Sequence, residues 1–115
     1  SVRTLHCEDA EVVVVAYGIT ARSAQSAVKL ARQHGIKAGL FRPVTLWPFP
    51  ETRLREVTAG ARAVVVPEMN NGQLVTEVER VCRSVERVIP MNRYDGETIS
   101  PAQILKTLTE TVQHG

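Results

Sequence analysis

Glu68-Met-Asn-Asn-Gly-Gln73 gathers a carboxylate, three amides and a glycine into six residues. Glu68 lies at the carboxyl end of an apolar run, the place where α/β proteins carry acids and bases. Its other reading is structural: a carboxylate accepting hydrogen bonds from neighbouring loop amides. Asn70 or Asn71 offers a cap to a helix starting just after them, and Gly72 lets backbone approach closely. A second candidate is Gly18-Ile-Thr20, with Arg22 behind it, where the opening amides of a helix can hold an anion. The stretch is neither GxGxxG nor GxxxxGK[ST], and Thr20 serves equally well as a plain helix cap. The third is Arg42-Pro-Val-Thr-Leu-Trp-Pro-Phe-Pro50, stiffened by three prolines, with Pro43 forcing Arg42 to be extended. Trp47 and Phe49 are large apolar groups in this loop. They either fold back as local core or form a contact surface for another chain or domain, and an inward Phe49 with an outward Trp47 satisfies both.

Other chemistries find no support. Cys7 and Cys82 lie far apart with no CxxC, and His6, His34 and His114 are dispersed, so zinc or iron–sulfur ligand spacing is missing. Neither cysteine has a histidine near it in sequence and no Gly-x-Ser-x-Gly occurs, which removes the familiar nucleophile patterns. Two cysteines in 115 residues suit a reducing cytosol, although a disulfide between them is not ruled out by sequence. Met69 and Met91 read as ordinary packing.

The elements that position these residues are legible as alternation. Apolar runs without period-two alternation fall at Glu11–Ala16, Lys37–Phe41, Arg62–Val66 and Arg87–Pro90, as in strands covered on both faces. Helices fill the gaps. Thr20–His34 presents Ala24, Ala27, Val28 and Ala31 on one face, with Gly35 placed to cap its end. A short helix follows Pro50 to about Thr58. Leu74, Val78, Val81 and Val85 recur at helical spacing between Gly72 and Ser84. Ser100-Pro-Ala-Gln103 is a capping box, flanked by Ile99 and Ile104 as a hydrophobic staple, and Ile104, Leu108 and Val112 make the buried stripe. Strands alternating with helices predict a three-layer α/β/α fold around a mostly parallel sheet. Val2–Leu5 adds a short edge strand of unstated direction. The pattern alone does not order the strands. Ligand sites in such sheets lie beyond the carboxyl ends of the strands, where Tyr17, Trp47, Phe49 and Tyr94 also fall.

Size and composition agree with one soluble domain of residues 1–115. Hydrophobic residues make up 43% and charged residues 23%, against the extremes that mark disordered chains. No apolar run approaches the ~20 residues of a membrane-spanning helix. Net charge is +2, and the arginines are interleaved with acids, so the one-signed face and aromatic platform of a nucleic-acid binder are missing.

Four blocks then align with one family. Asp9-Ala-Glu-Val-Val-Val-Val-Ala-Tyr-Gly18 with Thr20-Ala-Arg22 resembles the opening of a domain near the carboxyl end of the alpha subunit of 2-oxoacid:ferredoxin oxidoreductases. Gly35-Ile-Lys-Ala-Gly-Leu-Phe-Arg-Pro-Val-Thr-Leu-Trp-Pro-Phe-Pro50 is similar to its second block, Val66-Pro-Glu-Met-Asn-Asn-Gly-Gln-Leu74 to its third, and Asp95-Gly-Glu97 with Ser100-Pro101 and Ile104-Leu105 to its closing segment.

The resemblance implies a transketolase C-terminal-like domain, its five-stranded sheet in the order 1-3-2-4-5 with strand 1 antiparallel at the edge. It implies a cytoplasmic parent enzyme that converts a 2-oxoacid and coenzyme A into acyl-CoA, carbon dioxide and reduced ferredoxin. That parent uses thiamine diphosphate, magnesium and iron–sulfur clusters. Tyr94-Asp-Gly-Glu97 is not the family's Gly-Asp-Gly segment, and cluster cysteines are missing from this sequence. The expectation is therefore a domain that binds none of these cofactors, contains no catalytic or metal-ligating residue, and is a piece of a longer subunit. Its expected work is assembly with other domains of the alpha subunit and with the beta subunit; ferredoxin and coenzyme A meet the complex as a whole. The candidate contact edge comprises Gly18, Thr20, Arg22, Arg42, Trp47, Phe49, Glu68, Asn70, Asn71, Gly72 and Gln73. The alternative is a regulatory domain that binds a small anion or coenzyme A phosphates at that edge. The isolated domain is expected to form a dimer or weak oligomer through its uncovered apolar loop. The block at 35–50 leans toward the 2-oxoglutarate-type or broad-range branch over the single-chain pyruvate enzymes.

Overall fold

The computed structural model describes residues 1–69, 72–92 and 98–113. Its elements follow in the order β1 (Val2–Leu5), β2 (Val12–Val15), α1 (Gly18–Gln33), β3 (Ala38–Pro43), α2 (Glu51–Thr58), β4 (Ala63–Glu68), α3 (Gln73–Val81), β5 (Arg87–Asn92) and α4 (Pro101–Gln113). The five strands form one sheet in the order β1-β3-β2-β4-β5. β2, β3, β4 and β5 run parallel, and β1 pairs antiparallel with β3. This is the topology that the family resemblance implied.

The burial of each strand follows from its place. β2 lies between β3 and β4, and its four valines have no exposed surface. A fully buried valine contributes about 1.5–3 kcal/mol by leaving water. β5, at the edge, is only half-buried. Val12, Val14 and Ala16 point to the face covered by α1 and α4, where Ala21, Ala24, Ala27, Val28, Ala31, Ile104 and Leu108 complete the core. Val13 and Val15 point to the other face, beneath Leu54 of α2 and Leu74, Val78 and Val81 of α3. The small residues of α1 let it lie close to the sheet. In α4 the buried stripe is Ile104, Leu108 and Thr111, while Val112 is only partly buried against the same core. The capping box at its start is formed as expected. The Ser100 amide donates to Gln103 Oε1 at 2.8 Å, and the Gln103 amide donates to Ser100 Oγ at 3.1 Å. Gly35 follows α1 with φ 79°.

The connection from β1 to β2 is held by two unusual devices. His6 adopts φ 55°, the left-handed region, which costs a non-glycine residue free energy. Arg32, near the end of α1, donates to the His6 carbonyl at 2.7 Å and to the Ala38 carbonyl at 2.9 Å, and grips the Asp9 carboxylate through both oxygens at 2.7 and 3.2 Å. One guanidinium thus ties α1, β3 and the β1–β2 connection together. Beneath it, a Cβ on Gly39 would lie 2.8 Å from the His6 carbonyl oxygen and 3.0 Å from Cys7 Cα. Both obstacles are backbone and cannot rotate away.

Two expectations follow. Gly39→Ala should destabilise the fold by about 1–3 kcal/mol, as a forced overpacking, read as a lower urea midpoint with an unchanged slope. The Arg32 hydrogen bond, and secondarily its charge, hold the Asp9 carboxyl below its ordinary range. A carboxylate depressed in the folded state stabilises at pH above its unfolded value of about 3.9 and loses that contribution as pH falls through the folded value. The stability difference between the parent chain and Asp9→Asn should accordingly be present at pH 7 and shrink below about pH 4. Denaturation profiles between pH 7 and pH 2.5 measure it.

Candidate functional site

The carboxyl ends of the parallel strands form one edge of the molecule, and most of the singled-out residues lie on it. The chain passes from the β3 side of β2 to the β4 side, which makes the crevice between the ends of β2 and β4 the topological switch point. Glu68 is the last residue of β4 and stands there, 1% exposed. Its Oε2 accepts the Leu74 amide at 3.1 Å and its Oε1 accepts the Val75 amide at 2.8 Å. These are first-turn amides of α3, two of the donors that a helix leaves unsatisfied. The carboxylate also sits against the positive end of the helix dipole. Of the two readings open to Glu68, the geometry matches the structural acceptor. An anion seat exists at the switch point, and the protein's own side chain fills it.

The rest of that loop differs from expectation in detail. Asn70 and Asn71, read as helix caps, lie outside the described residues, as does Tyr94. The residue in the N-cap position of α3 is Gly72, with φ 82° and no side-chain hydrogen bond. Its glycine is required by that backbone angle; a Cβ would find Val75 at an ordinary 3.6 Å, so close approach is not the reason. Gln73 is the exposed first residue of α3.

Around α1 the start of the helix shifts. It begins at Gly18, with Tyr17 in the N-cap position, and Thr20 lies inside the first turn, 6% exposed, where it does not cap. Arg22 is on the exposed side of α1. The first turn carries no acid and receives no side-chain cap.

Arg42 is in β3, which extends two residues beyond the expected end because β1 continues to pair with it. The register places Arg42 directly opposite Arg3 of β1. Both arginines line a cleft of about 280 Å³ with Gly18, Pro43 and Val44. They also line a second cleft of about 200 Å³ with Thr4, Leu5, Gln25 and Leu40. Neither has a carboxylate within ion-pair distance among the described residues, whereas Arg32, Arg53, Arg55, Arg62 and Arg80 each do. Sequence reasoning passed over Arg3. Its only signal was membership of an edge strand whose direction was not readable, so its pairing could not be foreseen.

The proline-rich loop divides its aromatics. Phe49 is buried in the core on the α2/α3 side, and Trp47 is 72% exposed. Ile19 at 67% and Val44 at 51% are exposed on the same edge, leaving Leu30 as the other exposed large apolar residue among those described. At the opposite, amino edge, a cleft of about 240 Å³ is lined by Thr4, Cys7, Glu8, Arg53 and Glu56. It is poor ground for nucleophilic chemistry. Cys7 donates its thiol to the Leu40 carbonyl at 3.2 Å, and burial pushes its pKa up. Cys82 is also free, buried beside Thr58, with its pKa raised by burial. Among the described residues no three His, Cys, Asp or Glu side chains converge on a metal position, so these residues do not fit a metal ion or an iron–sulfur cluster. No helix among them is long and apolar enough to cross a membrane.

With this geometry in hand, comparison with known proteins places the chain. Residues 10–104 match the family model described as pyruvate:ferredoxin oxidoreductase core domain II. The chain is 47% identical, over 90% of its length, to ketoisovalerate oxidoreductase subunit VorB of Methanothermobacter marburgensis. It is 41% identical, over 88%, to 2-oxoglutarate synthase subunit KorA of the same organism. It spans 29% and 27% of those two proteins. Among solved structures, the 2-oxoglutarate:ferredoxin oxidoreductase of Magnetococcus marinus superposes with a TM-score of 0.87 at 26% identity, covering 98% of this chain and 20% of that one. A split-gene transketolase, described as an inactive β4 tetramer, superposes with a TM-score of 0.78 at 22% identity, covering 96% of this chain and 41% of that one. The latter likeness concerns the fold, which is transketolase C-terminal-like.

Glu68→Ala should destabilise the chain by about 2–3 kcal/mol, because two α3 amides lose a charged acceptor, and Glu68→Gln by less. Urea denaturation measures both. Hydrogen exchange should quicken first at the Leu74 and Val75 amides.

Proposed function

The chain belongs to the pyruvate:ferredoxin oxidoreductase core domain II family, and on that premise we propose that it is an assembly domain of a 2-oxoacid:ferredoxin oxidoreductase alpha subunit, supplying surface rather than reacting groups. One observation carries the reading. The carboxyl edge exposes Ile19, Val44 and Trp47 while the one buried carboxylate among its described residues, Glu68, is consumed in holding α3. An edge without a free acid, base or nucleophile among its described residues, but with an exposed tryptophan, is built for contact.

In this proposal the chain is one part of a whole enzyme that cleaves a 2-oxoacid in the cytoplasm; it spans 29% of the related subunit VorB alone. The acyl group passes to coenzyme A, carbon dioxide leaves, and two electrons reduce two ferredoxins. Thiamine diphosphate, magnesium and iron–sulfur clusters belong to other domains and subunits, and no step is assigned to them through this chain. Other domains of the alpha subunit and the beta subunit are the proposed contacts. The relatives named for ketoisovalerate and 2-oxoglutarate are almost equally similar, as expected of a domain that lies outside the substrate pocket.

The two loop aromatics separate assembly from folding. Trp47→Ala should leave the fold of the chain intact and weaken assembly of the full complex by at least about tenfold, the scale of a hot-spot loss. Phe49→Ala should destabilise the chain itself by about 3 kcal/mol or more. Sedimentation of the complex and denaturation of the chain read the two effects. An intact, fully assembled Trp47→Ala complex would remove Trp47 from the contact. The isolated chain should self-associate in sedimentation through the same patch, and Trp47→Ala should shift it toward monomer.

A further inference from the structure

We propose that Arg3 and Arg42 clamp a carboxylate carried by the protein surface that covers Ile19, Val44 and Trp47. The inference rests on the assembly reading and names the chemistry of the partner.

The argument begins with a cost. Like charges directly opposite one another on an antiparallel pair repel, and Arg3 and Arg42 occupy such a pair. Nothing among the described residues relieves them: neither makes an ion pair. Residues 1–5, 17–22 and 42–49 contain no Asp or Glu at all. Both arginines line the same two clefts, of about 200 and 280 Å³, and no Asp or Glu lines either one. Arginine presents a planar fork of donors that matches two carboxylate oxygens, so a single incoming carboxylate can bridge both guanidinium groups and offset one of their two charges. The uncapped start of α1 at Gly18, on the rim of the larger cleft, adds a weak field of the same sign.

The choice of a protein carboxylate over a free anion rests on the surroundings. Val44 is itself part of the cleft wall, Ile19 directly follows Gly18 of that wall, and Trp47 is three residues beyond Val44. A free oxyanion would neutralise the arginines and leave this apolar surface in water. A protein surface bearing an Asp or Glu covers both at once, with the charge at the rim of the contact and the tryptophan in its body.

The test uses the intact complex containing the full-length subunit. Arg3→Lys and Arg42→Lys each place a primary amine where the guanidinium stood, and a carbodiimide then joins that amine directly to any touching carboxylate. The expected result is a cross-link from position 42 or position 3 to an Asp or Glu outside residues 1–115, found by peptide mass spectrometry and lost in Arg42→Glu. In parallel, hydroxyl-radical footprinting of the unmodified complex reads coverage of Trp47. A protected Trp47 without such a cross-link overturns the clamp and leaves the assembly reading standing. An unprotected Trp47 overturns the assembly reading and the clamp with it. A cross-link that 10 mM inorganic phosphate abolishes while Trp47 stays protected shows that the arginines hold a free oxyanion, and the protein carboxylate is then wrong.

Discussion

A carboxylate removed from water must be met by donors, or the charge is too costly to bury. Glu68 meets that condition with two amides of α3, and much of the carboxyl edge is arranged around the bond. Glu68 ends β4 and its partners open α3, so the bond ties the end of that strand to the start of the helix, and Gly72 before the helix lies in the left-handed region. The same bond determines what the switch point can do. In open α/β sheets that crevice receives ligands, and the amides of a helix start are its usual anion donors. Here two of those amides are already spent on the protein itself.

Rigidity elsewhere comes from close approach. β2 is covered by helices on both faces, and α1 reaches the sheet through alanines. Gly39 admits the β1–β2 connection so near to β3 that backbone lies within 3 Å of where a side chain would begin. Arg32 then holds that connection from the far end of α1 with four hydrogen bonds. The edge strand β1 is consequently fixed against β3 by more than its own short ladder. That matters for the site, because β1 is what brings Arg3 to Arg42.

Sequence revealed what local chemistry decides. The valine run of β2, the capping box at Ser100–Gln103 and the glycine after α1 are each specified by neighbours a few residues away, and each stands where it was read. The inward Phe49 and outward Trp47 match the division that the loop suggested. Boundaries shifted where pairing partners decide them: β3 and β4 run on to Pro43 and Glu68 because β1 and β5 continue to pair with them. The start of α1 moved to Gly18 and left Thr20 buried within the helix, since a threonine can cap a helix or sit in its first turn and only packing decides. Two features were beyond local reading altogether. Glu68 could serve chemistry or structure until the position of the α3 amides was known, and Arg3 had no recognisable role until the register of an antiparallel edge placed it across from Arg42.

These facts divide labour along one edge. At its centre the positive end of a helix is neutralised internally, so that region gains order and offers no charge to a visitor. At its flank two arginines face each other with no ion-paired acid among the described residues, and exposed apolar groups lie on the same edge. Apolar burial supplies most of the free energy of association but is indifferent to direction. A forked, charge-assisted contact adds less net affinity because it must first be desolvated, yet it rejects misaligned and like-charged surfaces. A patch that combined Trp47 with neutral neighbours would adhere to many surfaces. Placing the arginine pair beside it restricts the acceptable partner to one that presents an acid at the matching point. The arrangement suits a domain whose task is to sit in one orientation within a larger enzyme.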